Sequence, residues 1–138
     1  MKCLKTVEKV WGREEWLVNS SKYCAKYLWL KLGYACSLHW HPIKEETFIV
    51  ISGAVQLEIY PAAKVACGVD KLQRVMVELL VGDTYTITPK TPHRFRAICG
   101  DTCVLEVSTT HDDSDVVRSV PSMKEEPPCR PLDGGANG

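Results

Sequence analysis

Between residues 24 and 60, hydrophobic and polar side chains alternate with a period of two. Leu28, Leu30 and Leu32 alternate with Tyr27, Trp29 and Lys31; further on, Val55, Leu57 and Ile59 alternate with Gln56, Glu58 and Tyr60. Successive side chains of an extended strand point to opposite faces, so each run predicts a strand with one buried face. Comparable runs at residues 16–18, 46–51, 75–81, 84–88, 93–97 and 102–109 predict further strands. Asn19-Ser20-Ser21, Ser52-Gly53, Gly82-Asp83 and Gly100-Asp101 supply turn signals between them, and Pro89 to Pro92 predicts a rigid turn. Residues 6–19 predict an extended arm or strand with a turn near Gly12. Residues 61–74 have no period and predict a loop, long enough to be a lid or an interface. No stretch carries a convincing helical period, so the pattern predicts an all-β antiparallel sandwich or barrel.

The pattern ends near Arg118. Residues 121–138 are rich in proline, glycine and charge, which predicts a disordered tail. The expected organisation is one domain over residues 1–118, including an arm at 1–19, and a flexible tail over 119–138. Composition agrees with one domain: 45% of the 138 residues are hydrophobic, enough for one core. The 17 basic and 17 acidic side chains balance, and no basic stripe predicts a nucleic-acid surface. No apolar run approaches the ~20 residues of a membrane span, and the first residues show no signal-peptide core. The seven cysteines are odd in number and contain no Cys-x2-Cys pair. Scattered thiols of this kind predict reduced, packed side chains in a reducing compartment, hence the cytoplasm. Cys36 lies near the histidines and is expected to pack rather than to ligate.

The candidate chemistry concentrates between Gly33 and Gly53. His39 and His41 are two residues apart and share a strand face. A turn at residues 42–45 brings Glu46 back towards them. Two imidazoles and a carboxylate make most of a transition-metal site, and His93 is the candidate fourth ligand. The fourth histidine, His111, sits in an acidic segment and is expected not to ligate.

These residues carry a resemblance. Gly33, His39, His41, Glu46 and Gly53, with gaps of five, one, four and six residues, resemble the first motif of the cupin superfamily at every fixed position. Residues 82–97 resemble the second motif at Gly82 and His93, while Thr88, Lys90 and Ala97 stand where proline, glycine and asparagine are usual. The resemblance implies a jelly roll that binds Mn²⁺, Fe²⁺, Co²⁺, Ni²⁺ or Zn²⁺ through His39, His41, Glu46 and His93. Stretches at residues 7–12, 44–48, 91–95 and 105–118 are similar to the sugar-isomerase branch of cupins, which includes mannose-6-phosphate isomerase domains and D-lyxose isomerases.

That branch implies aldose–ketose isomerisation of a sugar or sugar phosphate through an enediol. Glu106 is then the proton-moving base and Lys44 the cation at the charged oxygen. Arg118 would hold a distal phosphate. Plainer readings stand beside each: a solvated turn lysine for Lys44, an outward carboxylate for Glu106, a surface arginine for Arg118. Strand parity turns Arg94 and Arg96 away from His93, as expected of surface residues. Small cupins commonly dimerise through sheet edges, so a homodimer is expected, with aromatic faces at Trp11, Trp16 and Trp29 to suit it. A non-catalytic sugar-binding module and an iron-dependent dioxygenase are the alternatives.

Overall fold

The structure is a computed structural model that describes residues 3–61 and 74–126. The expected loop at 61–74 lies almost wholly outside these residues. Strands account for all the regular structure among the described residues, in chain order β1 (Lys5–Lys9), β2 (Gly12–Asn19), β3 (Cys24–Leu30), β4 (Tyr34–Ala35), β5 (Leu38–Trp40), β6 (Glu46–Ser52) and β7 (Ala54–Ile59). They continue as β8 (Val75–Leu80), β9 (Thr84–Ile87), β10 (His93–Ala97), β11 (Thr102–Ser108), β12 (Val117–Val120) and β13 (Met123–Lys124).

All pairings are antiparallel, and they form two sheets. One has the order β1-β2-β3-β11-β6-β9. The other runs β12-β5-β10-β4-β13, with β7 pairing β10 and β8. Alternation works as the period predicts. Leu28, Leu30, Phe48, Val50 and Val104 from the first sheet meet Val55, Leu57, Ile59 and Phe95 from the second in one apolar core. Burying each of these side chains contributes about 1.5–3 kcal/mol. Phe95 sits edge-on to Phe48 and Trp11, with ring centroids 5.6 and 5.4 Å apart.

Two turn residues explain how the motifs shape the backbone. Gly53 has φ 80°, and a Cβ there would lie 2.2 Å from Thr102 Oγ1, so the tight β6–β7 turn requires glycine. Lys90, where the resemblance expects glycine, takes φ 63°. This left-handed lysine keeps the turn, and its N–H donates to the His41 carbonyl at 2.7 Å. The departure from the motif therefore costs strain at one residue and leaves the loop in place.

The fold corrects three expectations. Ordered structure continues past Arg118: β12 pairs β5 and β13 pairs β4, so residues 119–126 belong to the domain and not to a tail. Residues 127–138 lie outside the described residues. Composition misled here because short edge strands draw on backbone pairing, which charged and proline-flanked sequence allows. Arg94 and Arg96 do point away from His93, yet both are buried. Arg94 donates to the Cys36 carbonyl at 2.9 Å, and Arg96 binds Gln56 at 3.0 Å, Glu58 at 3.2 Å and Glu125. Trp11 and Trp16 are also buried, so neither offers an exposed aromatic face; Trp29 is half-buried on the outer face.

Cys24, Cys36 and Cys103 are buried free thiols, as packed reduced cysteines should be. Burial pushes Cys36 up to about 12, so it stays a neutral thiol whose sulfur accepts the Phe95 N–H at 3.2 Å.

Candidate metal and sugar site

Strand register assembles the site. His39 on β5 pairs directly with His93 on β10. Glu46 opens β6, and β6 pairs β11, which carries Glu106. His41 follows β5 by one residue. The ligand atoms of His39, His41, Glu46 and His93 all lie within 4.8 Å of one another.

The imidazoles are held with one nitrogen free. His39 Nδ1 is 2.8 Å from the Ser37 carbonyl, His41 Nδ1 is 2.6 Å from the Asp115 carbonyl, and His93 Nδ1 is 2.8 Å from the Thr91 carbonyl. A carbonyl can only accept, so each Nδ1 carries the proton and each Nε2 presents a lone pair inward. Glu46 Oε1 and His93 Nε2 lie 2.8 Å apart, yet neither has a hydrogen-bond partner despite being buried. Orphaned buried polar atoms that face one point are costly unless an ion joins them. The four residues thus fit a divalent transition ion, with ligands of the chemistry such ions prefer.

Charge is arranged to match. Burial, with neighbouring His93, holds His39 well below the usual histidine range, in its neutral, ligating form. Burial would also lower His41, but the Glu46 carboxylate outweighs it and raises the group. Glu46 itself is fully buried. Burial would raise it, but the adjoining His41 and His93 and the Lys44 ammonium outweigh burial and hold it well below the ordinary carboxylate range.

Lys44 is buried, not a solvated turn lysine. Its ammonium stands 3.3 Å from Glu106 Oε2 and 3.5 Å from Glu46 Oε2. Burial works against its charge, yet the two carboxylates raise it above the ordinary lysine value. Glu106 faces the interior. Burial raises it above the ordinary carboxylate range, with Lys44 partly opposing the shift. Asp115 braces the turn between His41 and Glu46, its carboxylate accepting the Ile43 and Lys44 N–H groups at 2.9 Å each.

His39, His41, Lys44, Glu46 and Glu106 line one cavity of about 580 Å³, a size suited to a small molecule. Arg118 reaches its rim from β12, exposed and in register with His39. His111 stands at the cavity but outside the metal-ligand group, its Nε2 2.8 Å from Asp113. Sequence reasoning missed the cavity residues Glu14, Trp16 and Lys26, and it missed Asp115, which braces the turn beside them. Lys26 had a signal, because it shares strand parity with Leu28 and Leu30. Asp115 had none, since it reaches the turn from more than 70 residues away.

Comparison with known proteins now places the chain. The D-lyxose isomerase family profile matches residues 6–125. This chain belongs to the D-lyxose isomerase family. It is 34% identical over 124 residues to the D-lyxose/D-mannose isomerase of Thermosediminibacter oceani, covering 80% of this chain and 68% of the relative. The D-lyxose ketol-isomerase of Cohnella laeviribosi is 32% identical over the same length and shares. Among solved structures, the formate complex of Lactobacillus farciminis oxalate decarboxylase superposes with a TM-score of 0.73 at 14% identity. That match covers 97% of this chain and 48% of the decarboxylase, so the chain spans about half of that protein. At such low identity the likeness shows the fold alone, the cupin jelly roll.

Proposed function

We propose that this family member is a metal-dependent aldose–ketose isomerase acting on a sugar such as D-lyxose or D-mannose, or on a related sugar phosphate. The reading is carried by one juxtaposition: the Lys44 ammonium bridges Glu46 and Glu106 beside the orphaned Glu46 Oε1 and His93 Nε2, at a polar cavity. The names of the related isomerases support the substrate class.

His39, His41, Glu46 and His93 would hold a divalent ion: Mn²⁺, Fe²⁺, Co²⁺, Ni²⁺ or Zn²⁺. Such an ion supplies Lewis-acid polarisation of the sugar carbonyl. Glu106 takes the C2 proton and returns it to C1 through an enediol, and its raised carboxyl suits it to both steps. Lys44 donates to the C1 oxygen as it gains charge, where a buried cation is most effective, and takes back a proton from the C2 hydroxyl as that becomes the new carbonyl. Arg118 at the rim meets the far end of the sugar, or its phosphate when there is one.

Two further parts of the proposal concern the chain's setting. The described residues contain no helix long and apolar enough to cross a membrane, and the reduced thiols suit the cytoplasm. We also propose a homodimer, supported by Tyr27, Trp29, Ile49 and Leu105, which lie half-buried on the outer face of the six-stranded sheet. Sedimentation at micromolar concentration tests it; a monomer there removes the dimer.

The function is tested by loading the protein with Mn²⁺ in heavy water and offering aldoses and their phosphates. NMR follows loss of the C2 proton signal, with Glu106→Gln as control. Exchange with one sugar, abolished in the control, is the expected result. A protein that binds metal and sugar but exchanges nothing is a binding module.

A further inference from the structure

The inner wall of the six-stranded sheet carries one row of side chains in register: Trp16 beside Lys26, Lys26 beside Glu106, Glu106 beside Phe48. The proposed chemistry uses Glu106 and leaves Trp16 and Lys26 without a role. Both lie on β2 and β3, on the far side of β11 from the strand that carries Glu46.

Lys26 is only 1% exposed and lines the cavity. A buried ammonium demands compensation, and here most of it is loose. Glu14 Oε2 and Glu106 Oε2 are each 3.9 Å away, beyond hydrogen-bond reach. Only His111 Nδ1, at 3.1 Å, is close enough to accept. His111 donates its other nitrogen to Asp113, which leaves Nδ1 as that acceptor. The Trp16 ring lies 4.0 Å from the ammonium, and its Nε1 donates to Glu14 Oε1 at 3.3 Å.

The cation and the Glu14 carboxylate are therefore both fixed in place and held slightly too far apart to bond each other. A lysine has three donors, and one is used. A hydroxyl that accepts from the ammonium and donates to the carboxylate fits such a pair, and a sugar offers several. We propose that Lys26 and Glu14 form a subsite for the sugar hydroxyls remote from the carbonyl carbon, with His111 and Trp16 holding the two charged groups in position. This rests on the isomerase reading above and adds to it the wall that reads the length of the sugar.

The test compares D-lyxose with glyceraldehyde, an aldose with too few carbons to reach the subsite. Proton exchange at C2 is measured for the full-length, Mn²⁺-loaded protein and for Lys26→Met and Glu14→Gln. The expected result is a fall of at least tenfold in the ratio of kcat/KM for D-lyxose over glyceraldehyde, mostly through KM. Loss of fold or a shift in Glu106 acts on both substrates and leaves that ratio unchanged. An unchanged ratio in the folded variants overturns the subsite. Glu14→Gln retains the side-chain shape and carries the test if Lys26→Met does not fold.

If the unaltered protein exchanges no sugar, the isomerase reading falls separately. Ligand-observed NMR of D-lyxose then decides the subsite. Tenfold weaker binding to the variants supports it, and equal binding overturns it.

Discussion

The two ends of the barrel are built on the same strands and do opposite things. On β6, Glu46 is followed two residues later by Phe48 and then Val50. On β11, Glu106 lies two residues beyond Val104. On β3, Lys26 precedes Leu28 and Leu30, and on β10 His93 precedes Phe95 and Ala97. All of these side chains face inward. One end is a charged cavity, and the other is a closed apolar core. A step of two residues, about 7 Å along a strand, separates chemistry from packing. The apolar end supplies the rigidity that lets the charged end hold orphaned ligand atoms and a loosely compensated lysine in place. Substitutions at the two ends should accordingly register in different measurements.

The largest effect is expected at the charged end. His93→Ala removes one of the four proposed ligands and should abolish metal stoichiometry and lower proton exchange by more than ~10³-fold, well beyond the 10–100-fold cost of disturbing a ligand's neighbour. Metal content by atomic absorption, with NMR exchange, checks it; stoichiometric metal in the variant would remove His93 from the ligand set. Glu106→Gln should follow, with kcat down by about 10²–10⁴-fold and metal content unchanged.

Leu57→Ala makes the opposite case at the apolar end. Leu57 is fully buried in the core, and its truncation should cost about 2–5 kcal/mol in urea unfolding. Turnover per folded molecule should stay near that of the unaltered protein. A Leu57 variant that keeps its stability and loses turnover would break the division between the two ends.

A pH profile sharpens the division further. Burial raises Glu106 above its ordinary value of 4.5. The base must be ionised, so activity is lost as pH falls through the raised value, and the acid limb of kcat should lie above 4.5. An acid limb at or below 4.5 would assign the base elsewhere. Metal affinity should fall with it as pH drops, because a proton competes for His41, whose basicity Glu46 raises.

The smallest effect belongs to the turn that carries no chemistry. Lys90→Gly relieves a left-handed lysine and should stabilise the fold by roughly 0.5–1 kcal/mol in thermal or urea unfolding. No gain would mean that the lysine side chain offsets its own strain.

Most strands were readable from alternation because one buried face imposes period two on any half-buried strand. The predicted runs at 46–51, 54–60 and 93–97 lie within a residue of β6, β7 and β10. The clustering of the candidate metal ligands was readable for the same reason: His39 and His41 share a face, and Glu46 begins the strand after a short turn. What failed was inference from composition. Pro, Gly and charge after Arg118 predicted a tail, but β12 and β13 pair through backbone groups that composition does not report. Trp16 was expected to be exposed; it is buried against Lys26 and His111, because β1 and the segment after β11 close over it.

The sequence by itself determined most of the strands and which side chains could ligate a metal, since both follow from local spacing and side-chain chemistry. Only the tertiary structure decided that Asp115 braces the turn at Lys44, that Lys44 meets Glu106, and that Lys26 stands between Glu14 and Glu106. These contacts join side chains from separate strands and loops, and their energies depend on burial that exists only once both sheets have closed.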